Sequence, residues 1–319
     1  TLDHGSGELS AYKYEIYASS LHLRLIGYSC LAVVVGLIAL GFITRRSGWG
    51  LAGAFVLFLP VFGQFALSMF FLSGLGMLRV GWMPFWDISW QVLDLGNVIY
   101  IPYWILMWIF RQFNYWAQPE LGWFFMGSGA FLFTWGVLVW MQSRFNSKGV
   151  ASAWIYRISR HPQYLGWIIW SYGLIIYAPL ANQMKKSWGM ASSLPWLLMT
   201  MIIIGICMLE EMKMRERYGK DYEEYRDRTP FLLPLPRWFR RIVKFPMWLL
   251  IKKNWPERKR EVVLVITTYT VLLIGISLFW VDFGEGRTFP LKESRRKAKV
   301  EALVHEINII EARRYKWFK

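Results

Sequence analysis

Arg160-His161-Pro162-Gln163-Tyr164-Leu165-Gly166-Trp167 stands at the mouth of one apolar run. Glu210-Glu211, followed by Tyr218-Gly219-Lys220-Asp221-Tyr222-Glu223-Glu224-Tyr225, stands at the exit of the next. Between them lie two uncharged segments, 163–180 and 192–209, each close to the ~20 residues an α-helix needs to cross a hydrocarbon core of about 30 Å. A hairpin of two such helices brings the residues around 160 and those around 210 to one edge of a bilayer. Ionisable groups are expensive at a membrane edge and are seldom kept there without a use. The stretch from Arg160 to Leu233 is therefore the first place to look for function.

The rest of the chain repeats the apolar pattern. Hydrophobic residues make up 55% of the 319, mean hydropathy is +0.29, and the apolar residues come in long blocks, which excludes an ordinary soluble domain. Candidate spans are 25–43, 51–73, 98–110, 121–141, 163–180, 192–209 and 262–281. The third has thirteen apolar residues before Arg111, so it needs the aromatic approach from Trp82 to Leu95 or lies partly in the interface. The expected fold is all-α, a polytopic membrane helical bundle of six or seven transmembrane helices with a cytosolic C-terminal cofactor-binding segment. Its parts are a polar N-terminal segment (1–24), N-terminal transmembrane helices (25–150), a core formed by the helix hairpin and its motifs (151–236), a basic in-plane segment (237–261), an extra transmembrane helix (262–281) and a charged tail (282–319).

Lys and Arg number 37 against 21 Asp and Glu, a formal charge of +16. The excess gathers between 144 and 160 and between 213 and 260, and loops of that kind face the cytoplasm. An integral protein of a cytoplasmic membrane, in preference to the endoplasmic reticulum, with its site on the cytoplasmic side is expected; Arg45 and Arg46 run against the simple alternation this implies. Cys30 and Cys207 both fall inside candidate spans, so a disulfide framework is not expected. After Pro234-Leu235-Pro236, the run Arg237-Trp238-Phe239-Arg240-Arg241-Ile242-Val243-Lys244-Phe245 alternates basic and aromatic residues, with Lys252 and Trp255 beyond. Such a segment lies among lipid headgroups; flanked by spans, it is not read as a nucleic-acid surface. In the tail, Ile307, Ile310, Tyr315, Trp317 and Phe318 offer an apolar face to a protein partner or the membrane.

Several chemistries find no support. Gly74-Leu75-Gly76 and Gly127-Ser128-Gly129 do not sit in strand-to-helix turns, so they are read as points of close helix approach rather than nucleotide loops. The four histidines, at 4, 22, 161 and 305, have no ligand-spaced partners, and no metal is expected. A glycine-flanked serine nucleophile is also missing.

Pro162 biases His161 away from helix and suits a first helical turn, so Arg160 and His161 approach a helix entrance at Pro162. Tyr164 falls one turn in, and Gly166 permits close backbone packing. Arg160 and His161 have a plainer reading as interfacial anchors of a span. Glu210 and Glu211 follow an uncharged run; a carboxylate at a helix C-terminus is disfavoured by the dipole, so the helix should continue to Tyr218, with Gly219 as its stop. Tyr222 and Tyr225 then share a face. Pairing of Glu210 and Glu211 with Lys213, Arg215 or Arg217 on a solvated helix is the plainer reading of the acidic pair.

As an ordered set, Arg160-His161-Pro162-x-Tyr164-x-Gly166-Trp167-x-x-Trp170-Ser171-x-Gly173, Glu210-Glu211, Tyr218-Gly219-x-x-Tyr222-x-x-Tyr225 and Pro234 resembles the isoprenylcysteine carboxyl methyltransferase superfamily, which also includes phospholipid and small-thiol methyltransferases. The resemblance covers about a quarter of the chain. It implies an integral-membrane enzyme using S-adenosylmethionine, with a lipophilic or small thiol, carboxyl or amine acceptor and membrane lipids as neighbours. Carried onto this chain, the cofactor residues would be Arg160, His161, Tyr164, Gly166, Glu210, Glu211, Tyr222 and Tyr225, with Glu211 and Arg160 nearest the chemistry. Arg160 and His161 suit a carboxylate and ribose, a glutamate suits an ammonium, and tyrosine rings suit adenine or a sulfonium. The apolar approach from Gly205 to Leu209 departs from the Arg-containing approach of the prenylcysteine enzymes, which puts carboxylate methylation in doubt. Two rival readings stand beside this one: an NADPH-dependent membrane sterol-type reductase, whose loop resembles Arg-His-x-Asn-Tyr-x-Gly-Asp where this chain has Pro162-Gln163 and Trp167, and a non-catalytic subunit of a larger membrane complex.

Overall fold

The computed structural model describes residues 22–66, 78–88, 90–115, 117–145, 152–184, 193–253 and 255–284. Among them all regular structure is helical: α1 (Leu23–Thr44), α2 (Ser47–Ala66), α3 (Met83–Ile88), α4 (Ile101–Arg111), α5 (Gln118–Phe145), α6 (Pro162–Met184), α7 (Ser193–Tyr218), α8 (Lys220–Arg228), α9 (Arg237–Ile251) and α10 (Lys259–Gly284). The expected N-terminal polar segment up to residue 21, Gly74-Leu75-Gly76 and the tail from 285 lie outside the described residues.

Among the described residues, four helices are long and apolar enough to cross a membrane: α1, α5, α7 and α10 over Lys259–Leu278. The chain is accordingly a multi-pass membrane protein. The apolar part of α2 is shorter, Ser47–Gly63. Helix α6 fills the expected 163–180 segment and carries Gln163, Tyr164, Trp167, Trp170 and Ser171 among its apolar residues. The segment 98–110 forms a helix shorter than a full span. A 3-10 turn at Asn97–Tyr100 precedes α4, and eleven helical residues reach only about 17 Å at 1.5 Å per residue.

Helix α7 is the hub. Of its apolar window 78% is buried by protein, against 17% for α1 and for α10, so α7 is the inner helix and those two present most of their surface outward. Ala54, Phe58 and Val61 of α2, Tyr172, Leu174, Ile175 and Ile176 of α6, and Leu197, Met199 and Ile203 of α7 form one core cluster. Two polar groups buried in it are paired across helices: Trp196 Nε1 donates to Ser171 Oγ (2.9 Å), and the Tyr172 hydroxyl to the Ile99 carbonyl (2.9 Å).

Helices α5 and α6 form an antiparallel hairpin whose backbones touch. Gly122, Gly129 and Gly136 recur every seven residues, as do Gly166 and Gly173. A Cβ on Gly129 would stand 2.2 Å from the Trp170 nitrogen, and one on Gly166 2.4 Å from the Phe133 nitrogen. Lipid offers little hydrophobic drive for helix association, so close backbone approach of this kind carries the packing. The expectation of close approach holds for Gly129, while Gly127 faces open space.

Helix α7 runs on past Glu210 and Glu211 to Tyr218. Gly219 follows with φ +54° and ψ −124°, a conformation that glycine adopts without a Cβ clash, and it turns the chain into α8. Met247 of α9 is buried with Met208, Leu209 and Met212 of α7 and Val262 and Val265 of α10. Trp238, Ile242, Phe245 and Leu249 remain exposed on the opposite side of α9.

Candidate functional site

Two separated stretches of backbone are stitched together at the end of the bundle where α6 begins. The Arg160 amide donates to the Pro230 carbonyl (3.0 Å), and the Tyr225 hydroxyl donates to the Tyr156 carbonyl (2.8 Å). The His161 amide is held by Ser159 Oγ (3.2 Å). The entrance of α6 and the segment following α7 thus occupy one place.

Glu210 and Glu211 are neighbours on α7, about 100° apart around its axis, and the structure gives them different surroundings. Glu211 is 2% exposed, with Oε1 3.0 Å from Arg160 Nε and 3.3 Å from His161 Nε2. Arg160, itself 8% exposed, lies 5.6 Å from the ring centroids of both Phe231 and Trp255, which meet each other edge to face at 4.9 Å. The guanidinium is thereby boxed between two aromatic faces and a carboxylate, and the desolvation of both charges is offset by partners. Glu210 instead accepts a hydrogen bond from the Tyr164 hydroxyl (2.9 Å), with His161 Nδ1 4.0 Å from its other oxygen.

A cavity of about 920 Å³ opens beside this cluster. Arg160, His161, Tyr164, Glu210, Tyr222 and Tyr225 line it, together with Trp140 and Arg144 from α5 and Lys213 and Arg217 from α7. Burial pushes the hydroxyls of Tyr222 and Tyr225 above the ordinary tyrosine range; the charge of Glu211 adds to this for Tyr222, and Tyr156 for Tyr225, while Arg160 opposes both. Both are therefore neutral donors at physiological pH. Their rings lie 6.1 Å apart on one face of α8, as their spacing predicts.

Six of the eight expected cofactor residues meet at this cavity. Glu211 does not line it: it is the buried counter-charge of Arg160 and His161. Gly166 is also elsewhere, with its Cα against Phe133 of α5, where it sets the helix spacing. The solvated pairing of the two glutamates is not formed, since Arg215 binds Glu223 (2.8 Å). Trp255, expected beside Lys252 as a headgroup anchor, covers Arg160 instead. Phe231, Trp255 and Tyr156 are site residues that sequence reasoning missed. Phe231 stood two residues inside the motif-bearing stretch, but nothing in its spacing tied it to Arg160.

Arg45 and Arg46 belong to the same end of the bundle. Arg45 pairs with Glu216 (2.7 Å), Lys213 donates to the Arg45 carbonyl, and Ser47 lines the cavity. Among the described residues no three His, Cys, Asp or Glu side chains converge as a metal site would require.

Residues 85–229 match a family described as a protein of unknown function, DUF1295. The match takes in α4 to α8, and with them Arg160, His161, Glu210, Glu211, Tyr222 and Tyr225, but somewhat under half of the chain. No curated protein and no solved structure matches it.

Proposed function

We propose that the chain is an integral-membrane methyltransferase that uses S-adenosylmethionine and acts on a lipophilic or small acceptor at the membrane surface. The observation that carries this reading is the convergence of Arg160, His161, Tyr164, Glu210, Tyr222 and Tyr225 on one cavity at the end of a membrane hairpin. Its volume falls within the 300–1,000 Å³ of small-molecule sites. The residues fit the donor: Glu210 is the cavity carboxylate for an ammonium, Arg160 and His161 lie within reach of a carboxylate or ribose, and the tyrosine rings suit adenine or a sulfonium. The donor supplies an electrophilic methyl group. The chain aligns the partners and keeps water out, which is most of what an in-line displacement needs.

Six crossings follow from the same placement. Arg45, Arg144 and Lys213 all sit at the cavity end, so an even number of crossings separates residues 45 and 144. Helix α2 and helix α5 supply two, and α4 is left lying within one leaflet. The remaining crossings are α1, α6, α7 and α10, and the cavity end, rich in Lys and Arg, is the cytoplasmic one.

A second reading, an NADPH-dependent reductase, is favoured by one feature. Arg144, Lys213 and Arg217 give the cavity wall more positive charge than a sulfonium donor calls for, and phosphates would suit them. The matched family is associated with both steroid reductase-like and isoprenylcysteine methyltransferase-like membrane proteins. Calorimetric titration of the purified protein with S-adenosylmethionine and with NADPH, in the wild type, Arg160→Ala and Glu210→Ala, separates the two. Saturable methyl-donor binding that both substitutions weaken supports the proposal. Binding of NADPH alone overturns it, and binding of neither leaves a non-catalytic subunit.

A further inference from the structure

His161 has a carboxylate at each ring nitrogen, and the two are not equivalent. Nε2 lies 3.3 Å from Glu211 Oε1; Nδ1 lies 4.0 Å from Glu210 Oε2. An ionised carboxylate only accepts, so a neutral imidazole here carries its hydrogen on Nε2, toward the nearer oxygen. Nδ1 is left with a lone pair. His161 and Glu210 both line the main cavity, where two acceptors then face each other across a gap too long for direct bonding. A donor hydrogen placed between them satisfies both.

Glu211 is built differently from a passive counter-ion. Its Oε1 is shared by Arg160 and His161, while its buried Oε2 has no hydrogen-bond partner. Glu211 also lines a second cavity, of about 340 Å³, with Tyr222, Trp255 and Glu257, where the buried Trp255 Nε1 likewise lacks a partner. An unpaired carboxylate oxygen and an unpaired N–H on the wall of one small cavity offer an acceptor and a donor to a bridging water.

We propose that His161 is the general base of the reaction and Glu211 its positioning residue, so that the methyl acceptor is a proton-bearing nucleophile, a thiol or an amine, rather than a carboxylate. This rests on the methyl-transfer reading above. The acceptor's lone pair forms the bond to the methyl carbon, and the carbon–sulfur bond breaks with its electrons on sulfur. The acceptor proton passes to His161 Nδ1. The imidazolium so formed lies between Glu210 and Glu211, with Arg160 beyond Glu211 and the Tyr164 hydroxyl on Glu210; it returns the proton to water when product leaves. A carboxylate acceptor brings no proton and would set a third anion against Glu210.

The test uses the full chain in lipid nanodiscs with nitrogen-15 histidine, the His161→Asn spectrum assigning His161 among the four histidines. At about pH 8, where imidazole is ordinarily neutral, His161 should be the Nε2–H tautomer, and Glu211→Leu, which leaves Nε2 without its acceptor, should convert a large part of it to Nδ1–H. A wild-type Nδ1–H tautomer, or a ratio that Glu211→Leu leaves unmoved, overturns the assignment; the wild-type result decides alone if the variant does not fold. A second arm incubates the protein and a lipid extract with labelled methyl donor. Label stable to alkali supports a thioether or amine product, whereas label released by alkali, as from an ester, overturns the acceptor class. Loss of donor binding by calorimetry would mark failure of the methyltransferase reading, separately from the tautomer result.

Discussion

Replacing Glu211 by leucine leaves the Arg160 guanidinium buried without its counter-charge. Both partners are nearly inaccessible, with side chains 6% and 2% exposed, so solvent screening gives little relief, and removing one member of such a pair costs about 3–5 kcal/mol. The rings of Phe231 and Trp255, each 5.6 Å from the guanidinium, retain a cation–π attraction of roughly 1–2 kcal/mol in a desolvated setting. That places Glu211→Leu near the lower end, about 3 kcal/mol. Arg160→Met should cost about as much, because Glu211 keeps only His161. The double variant should lie within about 1 kcal/mol of the wild type, since removing both charges also removes both desolvation penalties. Equilibrium unfolding in mixed detergent–lipid micelles, followed by circular dichroism, gives all four corners of the cycle. Additive losses, or single losses below about 1 kcal/mol, would refute the idea that these charges are coupled in a dry site. The double variant should also lose methyl-donor binding despite its stability.

Other consequences can be checked separately. Gly129→Val places side-chain atoms where the Trp170 backbone already stands, and should destabilise the hairpin by more than the 1–3 kcal/mol usual for overpacking; Gly127→Ala, facing open space, should be neutral in the same unfolding assay. Tyr164→Phe removes the 2.9 Å bond to Glu210, and a loss of about 1.5–3 kcal/mol is expected for a hydrogen bond to a charged group, read as weaker donor binding in calorimetry. Tyr222 and Tyr225 have hydroxyls raised above the unfolded value of about 10, so their contribution is fully present below that pH and is lost as pH rises through their raised folded values. Helix content should therefore hold from neutral pH to about 10 and fall above it, and Tyr222→Phe with Tyr225→Phe should shift that alkaline limb upward.

The hairpin, the continuation of α7 past Glu211, the stop at Gly219 and the shared face of Tyr222 and Tyr225 were all legible in the sequence. Each depends on local rules: apolar length, proline and glycine stereochemistry, and helical spacing. The division of labour between Glu210 and Glu211 was not legible, because two adjacent carboxylates on a helix differ only in which neighbours the fold brings to each. Arg160, Phe231 and Trp255 are distant in sequence, and their meeting is a tertiary fact. The segment 98–110 read as a span because hydropathy counts apolar residues without asking whether the helix is continuous; the 3-10 turn at Asn97–Tyr100 shortens it. Arg45 and Arg46 run against the simple alternation if α4 counts as a crossing, and agree with it if α4 does not.

The glycine contacts between α5 and α6 bear on how the cavity can move. With Gly129 and Gly166 in backbone contact with the opposing helix, the hairpin behaves as a single rigid post, and Trp140 and Arg144 at one end of it cannot draw away from the α6 entrance without breaking that seam. Any widening of the cavity then falls to the wall formed by α8, which turns at Gly219 and is tied down by the Arg160–Pro230 and Tyr225–Tyr156 bonds. The site is a door hung on one side only.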